Sequence, residues 1–296
     1  MLMIARRKLT CKHIEGDQKM EYITLNNGVK MPMLGFGTFQ SVGKECENSV
    51  CTAIKAGYRL IDTAEAYGNE ENVGNGIKAS GIERKELFIV TKVNFKSYDN
   101  ARNVVLSSLE KLDTDYLDMV LLHWPFGNYY KAWRELEQLY YEKKIRAIGI
   151  SNFDPDRVVD LISFNQVVPV INQIETNLYC QRQEEHDWLD KYEVQHMAYA
   201  PLGQGQRNEM FSVSEIVSLA AKYGKTPAQI LLRFMIQQNI VVIPKSIHEE
   251  RIKENIDIFD FSMTDEELQF IRKIDKKQPM IGRANNPDFV EMAMKW

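Results

Sequence analysis

Cysteine and histidine are scarce in this 296-residue sequence, which contains four of the first and five of the second. The cysteines are Cys11, Cys46, Cys51 and Cys180. They have neither the density of a disulfide-bonded scaffold nor the spacing of zinc ligands. The histidines are scattered as well, without the short spacings that bind a metal. We therefore expect free thiols, a cytoplasmic protein and no metal site.

Long runs of one charge and long apolar runs are also missing. The net charge is −4, and no basic cluster offers a surface for nucleic acid. The first apolar residues are interrupted at Arg6, Arg7 and Lys8, which leaves them too short for the core of a signal peptide. No later run is long enough to span a membrane. We expect neither a nucleic-acid nor a membrane partner, and we predict that residues 1–20 form a disordered extension.

Eight short apolar runs alternate with longer stretches of helical spacing. In chain order they read MLGFGTF, YRLIDTA, LFIVTKV, MVLLHWP, IRAIGISN, VVPVINQI, QHMAYAP and IVVIPKS. They are apolar almost throughout, as parallel strands covered on both faces are. Eight strand–helix units in one chain predict an α/β fold, a closed (β/α)8 barrel of the TIM type, over residues 21–279.

The segments that flank the barrel also carry local signals. Asn27-Gly28 in EYITLNNGVKM predicts an amino-terminal β-hairpin with a type I′ turn, which closes the floor of the barrel. Thr226 followed by Pro227 predicts the start of a helix. The tail at residues 280–296 has no clear period but many apolar side chains. We predict that it is a loop of the same domain, folded over the active site.

Seven polar residues stand at or near the ends of the apolar runs. They are Asp62, Lys92, His123, Asn152, Gln173, Tyr199 and Lys245. The carboxyl ends of barrel strands assemble the active site. We therefore expect one pocket that contains these side chains, together with Tyr67 from the loop after the second run.

Four of these residues have the chemistry of carbonyl reduction. Hydride addition to a carbonyl leaves negative charge on its oxygen, so the site needs a proton donor, for which Tyr67 is the candidate. Lys92 beside the phenol would lower its pKa, and Asp62 would hold the lysine in place. His123 can orient the substrate carbonyl. Each residue also has a structural interpretation when it is considered alone. Tyr67 could be a packing residue, Asp62 and Lys92 could form a structural ion pair, and His123 could be a histidine of the core.

Three stretches then resemble the signatures of the aldo-keto reductase family, in the same order and at comparable spacing. They are GYRLIDTAEAYGNEENVG, RAIGISNF and IPKSIHEERIKENIDIFDF, and the resemblance covers residues 21–275. The sequence resembles bacterial-type members that act on small carbonyl compounds such as diketogluconate or glyoxal. It implies a nicotinamide-dependent reductase with Asp62, Tyr67, Lys92 and His123 as the catalytic tetrad.

The cofactor site is not of the Rossmann type, because no strand–GxGxxG–helix unit occurs. Lys245, Ser246 and Arg251 at the start of a helix can hold a phosphate. The resemblance implies NADPH, with NADH less favoured, and it implies that Glu254 and Asn255 lie near adenine. At the nicotinamide end, Ser151, Asn152 and Gln173 offer partners for the carboxamide, and Tyr199 offers a ring face for stacking. The cofactor-binding residues that we predict are Gly37, Thr38, Asp62, Ser151, Asn152, Gln173, Tyr199, Ala200, Pro201, Leu202, Gly203, Lys245, Ser246, Ile247, Arg251, Glu254 and Asn255.

The predicted substrate site is apolar and open. Its predicted residues are Phe39, Tyr67, His123, Trp124 and Phe126. The short segment after His123 and the phenylalanine at position 39 argue against bulky steroids, and leave small aldehydes, ketoaldehydes and diketo sugar acids as substrates.

Other functions stay open. Some members of the family serve as channel subunits or lens proteins, so a non-catalytic or regulatory nicotinamide-binding barrel is the alternative function. A metal-dependent hydrolase and a sugar-phosphate isomerase share the barrel, but neither uses all four tetrad residues. We expect a monomer.

Overall fold

A computed structural model describes residues 20–205 and 207–296 of the chain. Cys11 and the extension predicted over residues 1–20 lie outside the described residues, except for Met20. No helix in the described part of the chain is long and apolar enough to cross a membrane.

The strands form two sheets. An antiparallel pair consists of β1 (Tyr22–Thr24) and β2 (Lys30–Pro32). The larger sheet contains β3 (Phe36–Gly37), β4 (Leu60–Asp62), β5 (Phe88–Val93), β6 (Met119–Leu122), β7 (Ile148–Ser151), β8 (Ile171–Glu175), β9 (Gln195–Tyr199) and β10 (Val241–Val242). All eight run parallel, and each pairs with the next along the chain. Seven strands lie within the apolar runs of the sequence, and β8 extends one residue beyond its run, to Glu175.

The eight-stranded sheet closes on itself. A parallel bridge joins Leu34, just before β3, to Val242 in β10. The backbone N–H of Gly35 donates to the Val242 carbonyl at 2.8 Å, and that of Gly37 donates to the Pro244 carbonyl at 3.0 Å. These bonds leave no free edge between the first and last strands, and the predicted (β/α)8 barrel is confirmed.

Helices connect the strands and cover the barrel. They are α1 (Gly43–Lys55), α2 (Glu70–Ser80), α3 (Ala101–Lys111), α4 (Tyr129–Tyr141), α5 (Pro155–Ser163), α6 (Gln183–Lys191), α7 (Arg207–Phe211), α8 (Ser214–Tyr223), α9 (Pro227–Gln237), α10 (Glu249–Ile256), α11 (Asp265–Arg272) and α12 (Pro287–Ala293), with 3-10 turns at Glu65–Tyr67, Arg84–Glu86 and Phe95–Asn100. The predicted start of α9 is confirmed, because Thr226 and Gln229 cap each other's backbone N–H groups.

The amino-terminal hairpin is present, but its turn is not the predicted one. A type I′ turn needs positive φ at both central residues, and in this loop only Gly28 has it, at 84°. The Gly28 N–H donates to the Leu25 carbonyl at 2.9 Å, which leaves a three-residue loop. The side chain of Asn26 donates to the carbonyl of Pro169, just before β8, at 3.0 Å. That bond holds the loop against the amino-terminal end of the barrel, as a floor.

The carboxyl-terminal tail folds back over the opposite end, as predicted, but it is not entirely a loop. Residues Pro287–Ala293 form α12, which begins after Asn286, whose side chain accepts the N–H groups of Asp288 and Phe289 at 2.9 and 3.2 Å. The Phe289 ring packs on Trp124 with the ring centroids 5.2 Å apart. A helix of this length is stabilised mainly by such packing, which explains why the sequence shows no clear period here.

Candidate active site

A buried ion pair lies at the carboxyl-terminal mouth of the barrel. Asp62 ends β4 and Lys92 lies near the end of β5, on adjacent parallel strands. The Lys92 Nζ donates to Asp62 Oδ1 at 2.6 Å and to the Thr63 carbonyl at 2.8 Å. The two charged side chains are 0% and 2% exposed. A pair so thoroughly removed from water is held in one geometry, since breaking it would leave a buried charge without a partner.

Tyr67 reaches the pair from a short 3-10 turn. The turn Glu65–Tyr67 ends at Gly68, which has a φ of 63° that glycine adopts without strain. The Glu65 carboxylate accepts the backbone N–H of Asn94 at 2.8 Å, which fixes the turn against the segment after β5. The Tyr67 hydroxyl then lies 3.4 Å from the Lys92 Nζ. The phenol of the predicted acid and the ammonium of the predicted lysine are therefore neighbours.

His123 completes the predicted tetrad. It follows β6 directly, and its backbone N–H donates to the Val93 carbonyl at 3.1 Å. Its ring meets the Tyr67 ring edge to face, with centroids 5.9 Å apart. Burial, and then the charge of Lys92, lower the pKa of His123 to about 3. The imidazole is thus neutral at physiological pH and can donate one hydrogen bond.

The pKa of Tyr67 shifts in the direction opposite to the expected one. Burial, and then the negative charge of Asp62, hold the pKa of this phenol well above its ordinary value. Burial lowers the pKa of Lys92, against the opposing effect of Asp62. The Lys92 ammonium lies 2.6 Å from the Asp62 carboxylate and 3.4 Å from the phenol oxygen, so its electrostatic attraction to the carboxylate is the stronger of the two. A raised pKa keeps the proton on Tyr67 at neutral pH, where an acid needs it.

The residues predicted for the nicotinamide end form one hydrogen-bonded group beside the tetrad. Gln173 Nε2 donates to Asp62 Oδ2 at 2.8 Å. The Tyr199 hydroxyl donates to Asn152 Oδ1 at 2.8 Å. Asn152 Nδ2 in turn donates to the His123 carbonyl at 3.0 Å and to Ser151 Oγ at 3.0 Å. The ends of β7, β8 and β9 thus surround the ion pair with amide and hydroxyl groups, and the half-buried Tyr199 ring borders them.

The two glycine-bearing loops predicted for the cofactor lie on the same face. Gly37 ends β3 and packs closely on the segment just after β10, where an added Cβ would come 3.2 Å from the Ile243 carbonyl oxygen. The Thr38 hydroxyl donates to the Asp62 carbonyl at 3.0 Å. After β9, Ala200, Pro201, Leu202 and Gly203 form a turn in which the Gly203 N–H donates to the Ala200 carbonyl at 3.0 Å.

The predicted phosphate site lies at the start of α10. His248 precedes the helix without a side-chain cap, so the first backbone N–H groups of α10 keep their capacity to bind an anion. Lys245, Ile247 and Arg251 are exposed, and Ser246 accepts the His248 N–H at 3.1 Å. Two cations and free amide donors on one exposed surface fit a phosphate group of NADPH.

The residues predicted beside adenine have other partners or little exposure. Glu254 accepts the Thr226 hydroxyl at 2.8 Å, and its side chain is half-buried. Asn255 is buried. Both belong to α10, as Arg251 does, but no contact links them to the tetrad.

The predicted substrate residues separate into two groups. Phe39 is 45% exposed, and its ring centroid lies 4.9 Å from that of Tyr67, so it borders the open side of the tetrad. Trp124 and Phe126 are each only 7% exposed. The Trp124 ring lies beside the His123 ring. The Phe126 ring stacks on Trp124 and has no ring contact with a tetrad residue.

Two groups at this site have no signal in the sequence. The Thr63 carbonyl accepts from Lys92, and the Glu65 carboxylate orients the loop that carries Tyr67. A backbone carbonyl has no sequence signature of its own. Glu65 lies within GYRLIDTAEAYGNEENVG, close to Tyr67 in the chain. Only the fold shows that its partner, Asn94, lies in the loop after β5.

The fold and the polar pocket at its carboxyl-terminal mouth define a (β/α)8-barrel enzyme. A family model described as the aldo/keto reductase family matches residues 33–276. The chain therefore belongs to the aldo/keto reductase family and is an oxidoreductase that acts on carbonyl groups. The family resemblance of the three sequence stretches is confirmed.

Known relatives match nearly the whole chain. Glyoxal reductase of Bacillus subtilis is 43% identical over 270 residues, which cover 90% of this chain and 96% of that protein. Methylglyoxal reductase DkgA of Escherichia coli is 40% identical over 269 residues, with coverage of 90% and 96%. An aldo-keto reductase of Bombyx mori, crystallised in complex with NADP, superposes with a TM-score of 0.84 at 34% identity, over 89% of this chain and 95% of that one.

Proposed function

We propose that this protein reduces aldehydes and ketones to alcohols with NADPH, and that Tyr67 donates the proton. The observation that carries the proposal is the position of the Tyr67 hydroxyl, 3.4 Å from Lys92 Nζ, with Lys92 itself bound to Asp62 at 2.6 Å. This arrangement gives one protonated phenol beside a buried cation, at the face of the barrel where substrates bind. A non-catalytic nicotinamide-binding barrel has no need of it.

Each tetrad residue has a separate task in this mechanism. NADPH supplies the hydride when it is bound. Tyr67 holds the proton that the carbonyl oxygen receives, and the Lys92 charge stabilises the phenolate that remains. Asp62 keeps Lys92 charged and in place. The neutral His123 imidazole, whose ring adjoins that of Tyr67, donates a hydrogen bond that orients the carbonyl.

Small carbonyl compounds are the proposed substrates, and two observations support them. The relatives with 43% and 40% identity are named for glyoxal and methylglyoxal. Phe39 and Trp124 flank the tetrad with aromatic surface, and the carboxyl-terminal tail covers Trp124. Aromatic surface beside the tetrad is suited to contact the few carbon atoms of a two- or three-carbon carbonyl compound.

The proposal also includes a monomeric, cytoplasmic protein in which residues 21–279 and the tail at 280–296 form one domain. The free thiols of Cys46, Cys51 and Cys180 agree with a reducing compartment. The contact of Phe289 with Trp124 supports a single domain, because the tail has no separate core.

The test is a panel of carbonyl compounds assayed with NADPH and with NADH while nicotinamide absorbance is followed. We expect turnover of methylglyoxal and small aldehydes, with NADPH preferred. Cofactor binding without turnover of any compound would favour the non-catalytic alternative.

Arg251→Ala is expected to weaken NADPH binding about ten- to a hundredfold, since losing a hydrogen bond to a charged phosphate costs on the order of 1.5–3 kcal/mol. NADH lacks the 2′-phosphate, so its dissociation constant should change little. Lys253→Ala is the matched control, because Lys253 is exposed on the same helix and pairs with Glu249 at 2.6 Å. Dissociation constants from fluorescence titration check this, and equal losses for both cofactors would remove Arg251 from the phosphate site.

The pH profile of reduction is expected to show no step near pH 6.5, the ordinary histidine value, because the pKa of His123 is about 3. Lowering the pH to 5 leaves this imidazole neutral, so its hydrogen bond to substrate persists. The measurement is kcat/KM for methylglyoxal between pH 5 and 9. A step near pH 6.5 that disappears in His123→Asn would contradict the assignment.

A further inference from the structure

Glu175 is a buried carboxylate at the mouth of the barrel with no part in the mechanism above. It ends β8 and is 1% exposed. It stands two residues after Gln173, and residues two apart on a strand share a face. Since Gln173 points to Asp62, Glu175 lies one level above the ion pair, toward the open end of the barrel. Its neighbour on β9 is Tyr199.

Two of the hydrogen-bond donors to the Glu175 carboxylate belong to the carboxyl-terminal tail. Its Oε1 accepts the backbone N–H of Met280 at 2.7 Å, and its Oε2 accepts that of Ile281 at 3.0 Å. The side-chain amide of Asn177 also donates to Oε1, at 3.3 Å. Hydrogen bonds to a charged acceptor are roughly twice as strong as neutral ones. A buried charge therefore holds the first two residues of the tail in a fixed position on the barrel.

The tail has a second attachment and then reaches the substrate side. The Arg283 guanidinium donates to Asp154 and to Glu185, both at 2.7 Å. Beyond it, the rings of Phe289 and Trp296 pack on Trp124, with centroid distances of 5.2 and 5.8 Å.

The rings of Phe289 and Trp296 form an aromatic wall on Trp124, and the Trp124 ring alone separates this wall from the tetrad residue His123. The Trp124 and His123 rings are stacked, with centroids 6.5 Å apart. Any displacement of Phe289 or Trp296 therefore uncovers the ring next to His123.

We infer that Glu175 is a positioning residue for substrate selection: its carboxylate fixes the start of the 280–296 tail and thereby the aromatic wall on Trp124. This inference rests on the proposed reductase function. Glu175 touches neither Tyr67 nor Lys92, so it acts on substrate choice through the tail. A purely structural role would instead lower stability and reduce the turnover of all substrates alike.

Glu175→Gln tests the inference, because glutamine keeps the size but replaces one acceptor oxygen with an N–H₂ group that faces a backbone N–H. We expect the ratio of kcat/KM for methylglyoxal to that for 4-nitrobenzaldehyde to fall about tenfold, the effect of a modest loss of apolar contact in a specificity pocket. The change should come from KM for the small substrate, with NADPH affinity unchanged. An unchanged ratio in a folded variant overturns the inference.

Glu184→Gln is the matched control. It removes another carboxylate near the start of the tail, one that pairs at 2.8 Å with Lys277, just before the tail, but that pair is exposed and screened by solvent. The substrate ratio should stay at the parental value. A fall as large as that of Glu175→Gln would overturn the special role of the buried carboxylate.

Phe289→Ala completes a double-mutant cycle. The Phe289 ring packs on both Trp124 and Trp296, so Phe289→Ala alone already disrupts the aromatic wall. If Glu175 acts through the tail, adding Glu175→Gln should then change the ratio no further. Independent, multiplying effects would overturn the inference. Should Glu175→Gln fail to fold, Glu175→Asp keeps the charge and shortens the reach, and the same shift is expected at smaller size.

Hydrogen exchange separates this inference from the proposed function. The amides of Met280 and Ile281 should exchange faster in Glu175→Gln and at the parental rate in Glu184→Gln. Unchanged exchange in Glu175→Gln overturns the tether even if the parent protein reduces no carbonyl compound. Absence of turnover in the parent, in contrast, counts against the reductase function alone.

Discussion

Tyr67→Phe is expected to lower kcat for aldehyde reduction by about 10²- to 10⁴-fold, the usual contribution of a positioned general acid. The variant keeps the aromatic ring, which packs on Phe39 and against the His123 ring, so the pocket should keep its shape. The loss should fall on kcat, since the hydroxyl acts on charge that develops in the transition state. Steady-state kinetics with methylglyoxal and saturating NADPH measure it.

The control for this variant is Tyr141→Phe, which removes a phenol hydroxyl from a side chain that is 55% exposed at the end of α4. It should retain parental kinetics. NADPH affinity should be unchanged in both variants, because the proposed contacts to the cofactor do not include the Tyr67 hydroxyl. Reduction by Tyr67→Phe at the parental rate would show that another group supplies the proton.

Much of this site could be predicted from sequence by one rule, that the carboxyl ends of all the parallel strands lie together at one mouth of the barrel. Asp62 and Lys92 are thirty residues apart in the chain, but both lie at or near the ends of apolar runs that become adjacent parallel strands. The same rule brings Gln173 to Asp62. Strand identity was readable because buried parallel strands are apolar almost throughout.

Other features depend on distances that no pattern encodes. The direction of the Tyr67 pKa shift follows from the burial of the phenol and then from the nearby negative charge of Asp62. The turn at Gly28 follows the contact of Asn26 with Pro169 instead of the local preference of Asn27-Gly28. Glu175 is an acidic residue at the end of a strand, and its role depends on backbone N–H groups more than a hundred residues away.

Lys92→Met and Asp62→Asn should each destabilise the protein by about 3–5 kcal/mol, because each leaves a buried charge without its partner. Exposure of 0% and 2% means that water cannot replace the missing group. Gln173 still donates to Asp62 in the lysine variant, but a neutral amide does not balance a full charge. Urea-induced unfolding, followed by circular dichroism, gives the free energies.

The double variant, Lys92→Met with Asp62→Asn, distinguishes a catalytic pair from a merely structural one. Removing both charges together removes the unpaired charge, so the double variant should recover most of the stability that either single variant loses. Turnover should not recover, since no cation then remains 3.4 Å from the Tyr67 hydroxyl to stabilise the phenolate. If the double variant regained parental turnover along with its stability, Lys92 and Asp62 would be a structural ion pair, and Tyr67 would need no charged neighbour to act as the acid.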